Sequence, residues 1–352
     1  MQLKISASRF PLTSVLLIAP FFLWGTAMVA MKGTIPHTTP LFMAGLRIFP
    51  AGVLILVVAR IMGKSQPQGW KAWLWIIIFG LVDGTLFQGF LSEGIVRTGA
   101  GLGSVIIDSQ PLAVAIMSAW LFREKIGLWG WLGLLLGVCG ISLIGLPEKW
   151  VLGLFSQTSS ISDFVLPSFS SLWDSGEWLM LLAALSMAVG TVMIRFVCRY
   201  VDPVTATGWH MILGGLPLWG MSSILESGQW ENLVSSDWIA LFYATIFGSA
   251  IAYGLFFYFA SNGSLISLSS LTFLTPIFAL TFGNLLLNEV LTPLQWAGVA
   301  LSLVSIYLIS QRNNFTDNKT QHNLKTVELE SQGNQSSSQL TPVSVIATDV
   351  KS

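Results

Sequence analysis

The sequence predicts an all-α membrane protein, with ten transmembrane helices arranged as two inverted five-helix repeats. Three observations carry this reading. Of the 352 residues 53% are hydrophobic and only 10% charged, with a mean hydropathy of +0.71, outside the range of soluble domains. Apolar runs of about 20 residues recur along the chain, each long enough to cross a hydrocarbon core of about 30 Å. One stretch, Ser104 to Leu146, is also written a second time as Ser269 to Gln311. Pro111 matches Pro276, Glu124 matches Glu289, Trp131 matches Trp296 and Gly133 matches Gly298, all at one offset of 165. Four gapless pairs in one order mark an internal duplication.

The first apolar run, 12–31, follows a polar start carrying Lys4 and Arg9. A secretory leader would share that start. The run has a repeat partner, however: Trp24 to Lys32 aligns with Met187 to Arg195, each ending in a cation. A cleaved leader would not be half of a duplicated core. The remaining runs are 40–59, 72–90, 100–122, 128–146, 177–196, 204–224, 238–260, 265–287 and 293–310. Helices are expected throughout, because backbone facing lipid must satisfy its own hydrogen bonds, and no alternating barrel pattern is present.

Lysine and arginine in the loops set the orientation. With the N-terminus inside, Lys4, Arg9, Arg60, Lys64, Lys71, Arg123, Lys125, Arg199 and Arg312 are cytoplasmic, and only Lys32, Arg97 and Lys149 are external. Both termini are then cytoplasmic. Five helices per half is an odd number, so the second half sits upside down relative to the first, as in many secondary transporters. The expected division is a first repeat at 12–146, an external linker at 147–176, a second repeat at 177–311 and a disordered cytoplasmic tail at 312–352. That tail is rich in Ser, Gln, Asn and Thr and too poor in apolar residues to fold alone. The absence of an organelle-type leader points to a plasma (inner) membrane.

Several functions are disfavoured. The formal net charge is zero, so nothing marks a nucleic-acid footprint. Cys139 and Cys198 fall in or beside apolar segments and read as packing residues, with no zinc spacing and no disulfide framework. No H-E-x-x-H or G-x-S-x-G motif appears, so an intramembrane enzyme has thin support. Gly99 to Ser104 lacks the lysine of a phosphate-binding loop and reads as close helix packing. No cofactor or metal is expected.

With Trp24-Gly25-Thr26, the block SVIIDSQPLAVAIMSAWLFREKI and its partner LSSLTFLTPIFALTFGNLLLNEVLT, the chain resembles the EamA-type members of the drug/metabolite transporter superfamily. The carrying pattern is a proline followed thirteen residues later by a glutamate at the helix turn. The resemblance covers about 12–311 and implies export of amino acids, other metabolites or toxic compounds. The second copy departs at its turn, with Asn-Glu-Val where the first has Arg-Glu-Lys.

Ionisable groups inside a bilayer are costly and are therefore functional candidates. Arg47, Asp83, Asp108 and His210 lie nearest the midplane, and Arg47 and His210 occupy matched positions at an offset of 163. A carboxylate needs a partner there, so Arg47 with Asp83 or Asp108 is the expected pair. Two acids sharing one cation would make one of them a proton carrier; the competing reading is a permanent packing bridge. Pro111 and Pro276 should kink their helices beside Gln110 and Thr275, freeing carbonyls near the midplane. Gln88 and Tyr253 form a matched polar pair. Arg47, Asp83, Gln88, Asp108, Gln110, Pro111, His210, Tyr253, Thr275 and Pro276 are thus the expected substrate or proton pathway. Glu124 and Glu289 read as turn formers that cap or pair helix ends, and Lys32 and Arg195 as interfacial anchors or gate closers.

The leading expectation is a secondary transporter of small metabolites, an exporter working by alternating access and open to proton coupling. An organic-phosphate or nucleotide-sugar exchanger would need more than one deep cation, and a non-transporting scaffold would need no midplane charge. The expected partners are a small-molecule substrate and the bilayer, with a homodimer open and no nucleic acid.

Overall fold

The computed structural model describes residues 10–31, 33–98, 100–145, 175–287 and 292–311. Lys32, Glu289, the linker residues 147–174 and the tail from 312 lie outside the described residues. Every regular element among those described is helical. In chain order the long helices are α1 (Phe10–Met31), α2 (Pro40–Ile61), α3 (Gly69–Thr98), α4 (Ala100–Asp108 and Gln110–Phe122), α5 (Gly127–Gly145), α6 (Gly176–Val197), α7 (Pro203–Leu225), α8 (Ser235–Asn262), α9 (Leu265–Ser270 through Leu274–Leu287) and α10 (Pro293–Gln311).

Nine of these helices are long and apolar enough to cross a membrane. The sequence expects ten. The exception is α7, a helix of 23 residues, about 34 Å at 1.5 Å per residue. It falls short in apolarity, because Thr205, Thr207, His210 and Ser222 are polar and buried against neighbouring helices. Large apolar side chains such as Val57, Ile61, Trp120, Leu135, Ile224 and Ile239 are exposed around the bundle. So much outward apolar surface suits lipid and not water.

Helix starts are capped by carboxylates, one from a distant helix and one from the residue that precedes its own helix. Glu226 accepts from the backbone N–H groups of Leu41 and Phe42 at 2.8 and 3.0 Å, capping α2 from the far end of α7. Asp202 caps α7 by accepting from Val204 N–H at 3.0 Å, with Pro203 in the first turn, where a missing N–H costs nothing. These caps satisfy donors that a helix end otherwise leaves orphaned.

Four helices are interrupted, in matched places. α3 carries a π-helical segment, Gly80–Leu86, and α8 carries another at Ala244–Ile251; at the offset of 165 the two overlap. α4 breaks at Ser109, and α9 passes through a 3-10 turn at Leu271–Phe273. Pro111 and Pro276 each fall in the first turn after their break, where the missing N–H leaves no bond of the following helix unmade.

Close contacts between the halves come in exchanged pairs. A Cβ on Gly133 would lie 2.6 Å from Ile309 Cγ1, and one on Gly298 would lie 2.9 Å from Ile144 Cγ1. Moving each residue of the first pair to its counterpart in the other half, at offset 165, gives the second pair. At offset 163, Gly52 against Ile212 becomes Gly215 against Phe49, both at 2.9 Å. Only glycine lets α5 approach α10, and α2 approach α7, this closely.

Candidate functional site

α2, α3 and α8 project Arg47, Gln88 and Tyr253 toward one point, and the broken α4 and α9 add Asp108, Gln110, Thr272 and Thr275. Together they line a cavity of about 630 Å³. It runs from mid-bundle to the end where α1, α3 and α5 finish and α2 and α10 begin, with Met31, Ile35, Ile95, Ile144 and Leu294 near its mouth. Trp24, Phe87 and Leu280 supply apolar wall. A pocket of this size with few convergent polar groups is the usual form of a small-molecule site.

Of the ten expected residues, Arg47, Gln88, Asp108, Gln110, Tyr253, Thr275 and Pro276 line the cavity, whereas Asp83, Pro111 and His210 do not. The expected ion pair of Arg47 with an aspartate is not what forms. Arg47 Nη2 donates to Gln88 Oε1 at 2.6 Å, and Gln88 Nε2 donates to the Tyr253 hydroxyl at 2.7 Å. Asp83 instead places Oδ2 3.2 Å from His210 Nε2. Asp83 and Gln88 are five residues apart, roughly 140° around a regular helix at 3.6 residues per turn, so the two side chains leave α3 on different sides.

The Asp83–His210 pair is sealed from the cavity, each residue 1% exposed. Phe79 stacks on the imidazole at 4.2 Å and Phe257 meets it edge-on at 5.3 Å. A Cβ on Gly190 would collide with Asp83, so glycine makes the space for this carboxylate. Mutual pairing is the arrangement that lets two such groups stay buried.

Several cavity groups lack protein partners. Trp24 Nε1, Arg47 Nε, both polar atoms of the Gln110 amide and Thr275 Oγ1 are buried with no hydrogen bond. Asp108 has no hydrogen-bond or ion-pair partner among the described residues. A buried polar atom left unmet costs about 1–3 kcal/mol, and clusters of them mark places where water or a ligand completes the bonding. Trp24 and Thr272 belong to this lining but not to the expected set. A tryptophan in mid-span, away from the interfacial belts, was the available signal for Trp24.

At the opposite end of the bundle a charged cluster joins the two halves. Glu124, in the turn after α4, pairs with Arg195 Nη1 at 3.0 Å, accepts from Ser264 Oγ at 3.0 Å and from Leu265 N–H at 3.4 Å. Arg195 also donates to Gly263 O and lies 4.7 Å over the Phe122 ring. The ends of α4, α6 and α8 and the start of α9 meet in this one cluster. Glu124 thus pairs at a helix end, as the sequence indicates, and Arg195 is its partner across the two halves.

Comparison with known proteins agrees with this architecture. The EamA-like transporter family model matches residues 12–146 and 174–311. An uncharacterized transporter of Synechocystis sp. is 62% identical over 312 residues, covering 89% of this chain and 94% of its own. A chloroplastic WAT1-related protein of Arabidopsis thaliana is 54% identical over 298 residues, covering 84% of this chain and 68% of its own. A solved crystal structure shares the fold at a TM-score of 0.68 and 16% identity, over 84% of this chain and 97% of that one. A multi-pass helical bundle, a small-molecule cavity and this pair of family matches lead to one conclusion: the chain belongs to the EamA-like transporter family and is a membrane transporter.

Proposed function

We propose that the chain is a secondary transporter, acting as an exporter of small amphoteric metabolites such as amino acids. Residues 12–146 and 177–311 form two inverted repeats that exchange outward- and inward-open forms across the plasma membrane, with both termini cytoplasmic. In this reading the linker 147–176 is external, the tail from 312 is a cytoplasmic extension, and the cavity opens outward. The observation that carries the proposal is that Arg47 and Asp108, a guanidinium and a carboxyl group, line a single cavity with orphaned hydrogen-bonding groups. A zwitterion satisfies both charges at once, whereas a singly charged solute leaves one buried charge uncompensated. The exchanged contact pairs and the matched π-helical segments support a two-fold relation between the halves. An organic-phosphate exchanger fits less well, since Arg47 is the one cation lining the cavity among the described residues.

The test is uptake into sealed proteoliposomes, with and without a pH gradient, of zwitterionic amino acids beside organic phosphates. Zwitterion flux that falls in Asp108→Asn supports the proposal. Flux of organic phosphates alone would replace it with the exchanger reading.

A further inference from the structure

Gln88 and Tyr253 stand at equivalent points of the two repeats, 165 residues apart, and they hydrogen-bond directly to each other. A direct contact between equivalent residues sits on the two-fold that relates the repeats, as an isologous contact does in a symmetric dimer. Such a contact has a property that off-axis contacts lack. When the halves exchange conformations, every inter-half contact is replaced by the contact between the two counterparts. Gln88–Tyr253 maps onto itself; Glu124–Arg195 does not.

The local chemistry gives the on-axis bond a task. Gln88 offers its carbonyl oxygen to Arg47 Nη2 at 2.6 Å and its amide nitrogen to the Tyr253 oxygen at 2.7 Å. Flipping the amide would aim N–H at a guanidinium that has only donors. The tyrosine oxygen accepts from the amide end turned away from Arg47 and so locks this orientation. The tyrosine ring is fixed in turn, with Trp24 at 5.2 Å and Phe257 at 6.0 Å. We propose that Tyr253 is a positioning residue which, acting through Gln88 on the axis, holds the Arg47 guanidinium in the cavity in both open states. The second repeat thereby sets the orientation of a cation carried by the first, and substrate meets the same cation from either side. This inference rests on the alternating-access reading above.

The experiment reads Arg47 itself and needs no substrate. Purified protein in lipid nanodiscs is treated with phenylglyoxal, and modification of Arg47 is followed by peptide mass spectrometry. Tyr253→Phe keeps the packed ring and removes only the hydroxyl. It is expected to raise the Arg47 rate about fivefold, the worth of one neutral hydrogen bond, with the unfolding temperature lowered by no more than a few degrees. Gln88→Leu, which removes the charge-assisted bond to Arg47 itself, should raise it further, and the double variant should react no faster than Gln88→Leu alone. Glu124→Gln, which weakens the opposite end, should keep wild-type protection. An unchanged rate in Tyr253→Phe, additive effects in the double variant, or loss of protection in Glu124→Gln would each overturn the proposal. A failure here leaves the transport reading standing, because transport is scored separately by vesicle uptake.

Discussion

Neutralising Glu124 should open the closed end of the bundle. Its carboxylate pairs with Arg195 and accepts from Ser264 and Leu265, and the two charged side chains are 17% and 20% exposed. Water therefore screens the pair only in part, and the surface value of under about 1 kcal/mol is too small. Glu124→Gln keeps the shape and one acceptor oxygen but loses the charge. A charge-assisted bond contributes about 1.5–3 kcal/mol, so a loss of about 2 kcal/mol is expected. That changes the ratio of closed to open forms at this end by about 30-fold. The reporter is Ser118→Cys, on α4 a turn before Phe122 and fully buried, with Cys139 and Cys198 replaced by Ala. A membrane-impermeant maleimide added on the Lys64 and Lys125 side should label Cys at this position about 30-fold faster in the Glu124→Gln background. Equal labelling with and without Glu124→Gln would refute the lock.

Three further outcomes follow from the geometry. Gly298→Leu should lower the unfolding temperature by overpacking α5 against α10, where even a Cβ would lie 2.6 Å from Gly140 O; overpacking costs about 1–3 kcal/mol, and thermal unfolding in detergent reads it. Asp83→Ala leaves His210 without its partner in a sealed site, which costs about 1–3 kcal/mol; the double variant Asp83→Ala with His210→Leu should recover most of the loss, and equal melting of single and double variants would contradict the pairing. Arg47→Met should reduce zwitterion uptake by about 100-fold, the effect of stranding one buried charge of a bound pair, while its unfolding temperature stays near that of wild type.

Much of the architecture was legible because the duplication kept rare residues in register. Pro111 with Pro276 and Trp131 with Trp296 give the offset, and that offset also pairs the two π-helical segments and the glycines at the α5–α10 crossing. Apolar length located the helices, α7 included as the run 204–224, although its buried polar side chains leave that helix less apolar than the other nine. Partner choice was not legible. The preference of Asp83 for His210 over Arg47 depends on which neighbouring helix its side of α3 packs against, which composition does not encode. Tyr253 was recognisable as a partner for Gln88 only as a matched position, since a bond between repeat-equivalent residues requires both to lie on the axis.

The central claim is that the two halves exchange conformations, and the most direct measurement is a pair of electron-electron distance distributions in nanodiscs. One spin-label pair, Leu128 with Tyr200, spans the halves at the closed end, and the other, Val96 with Trp230, spans them at the open end; all four residues are exposed. Alternating access predicts two populations at each end, with Glu124→Gln lengthening the first distance and shortening the second to the same fractional extent. A single distance at each end that Glu124→Gln leaves in place, or two ends that lengthen together, would contradict the account.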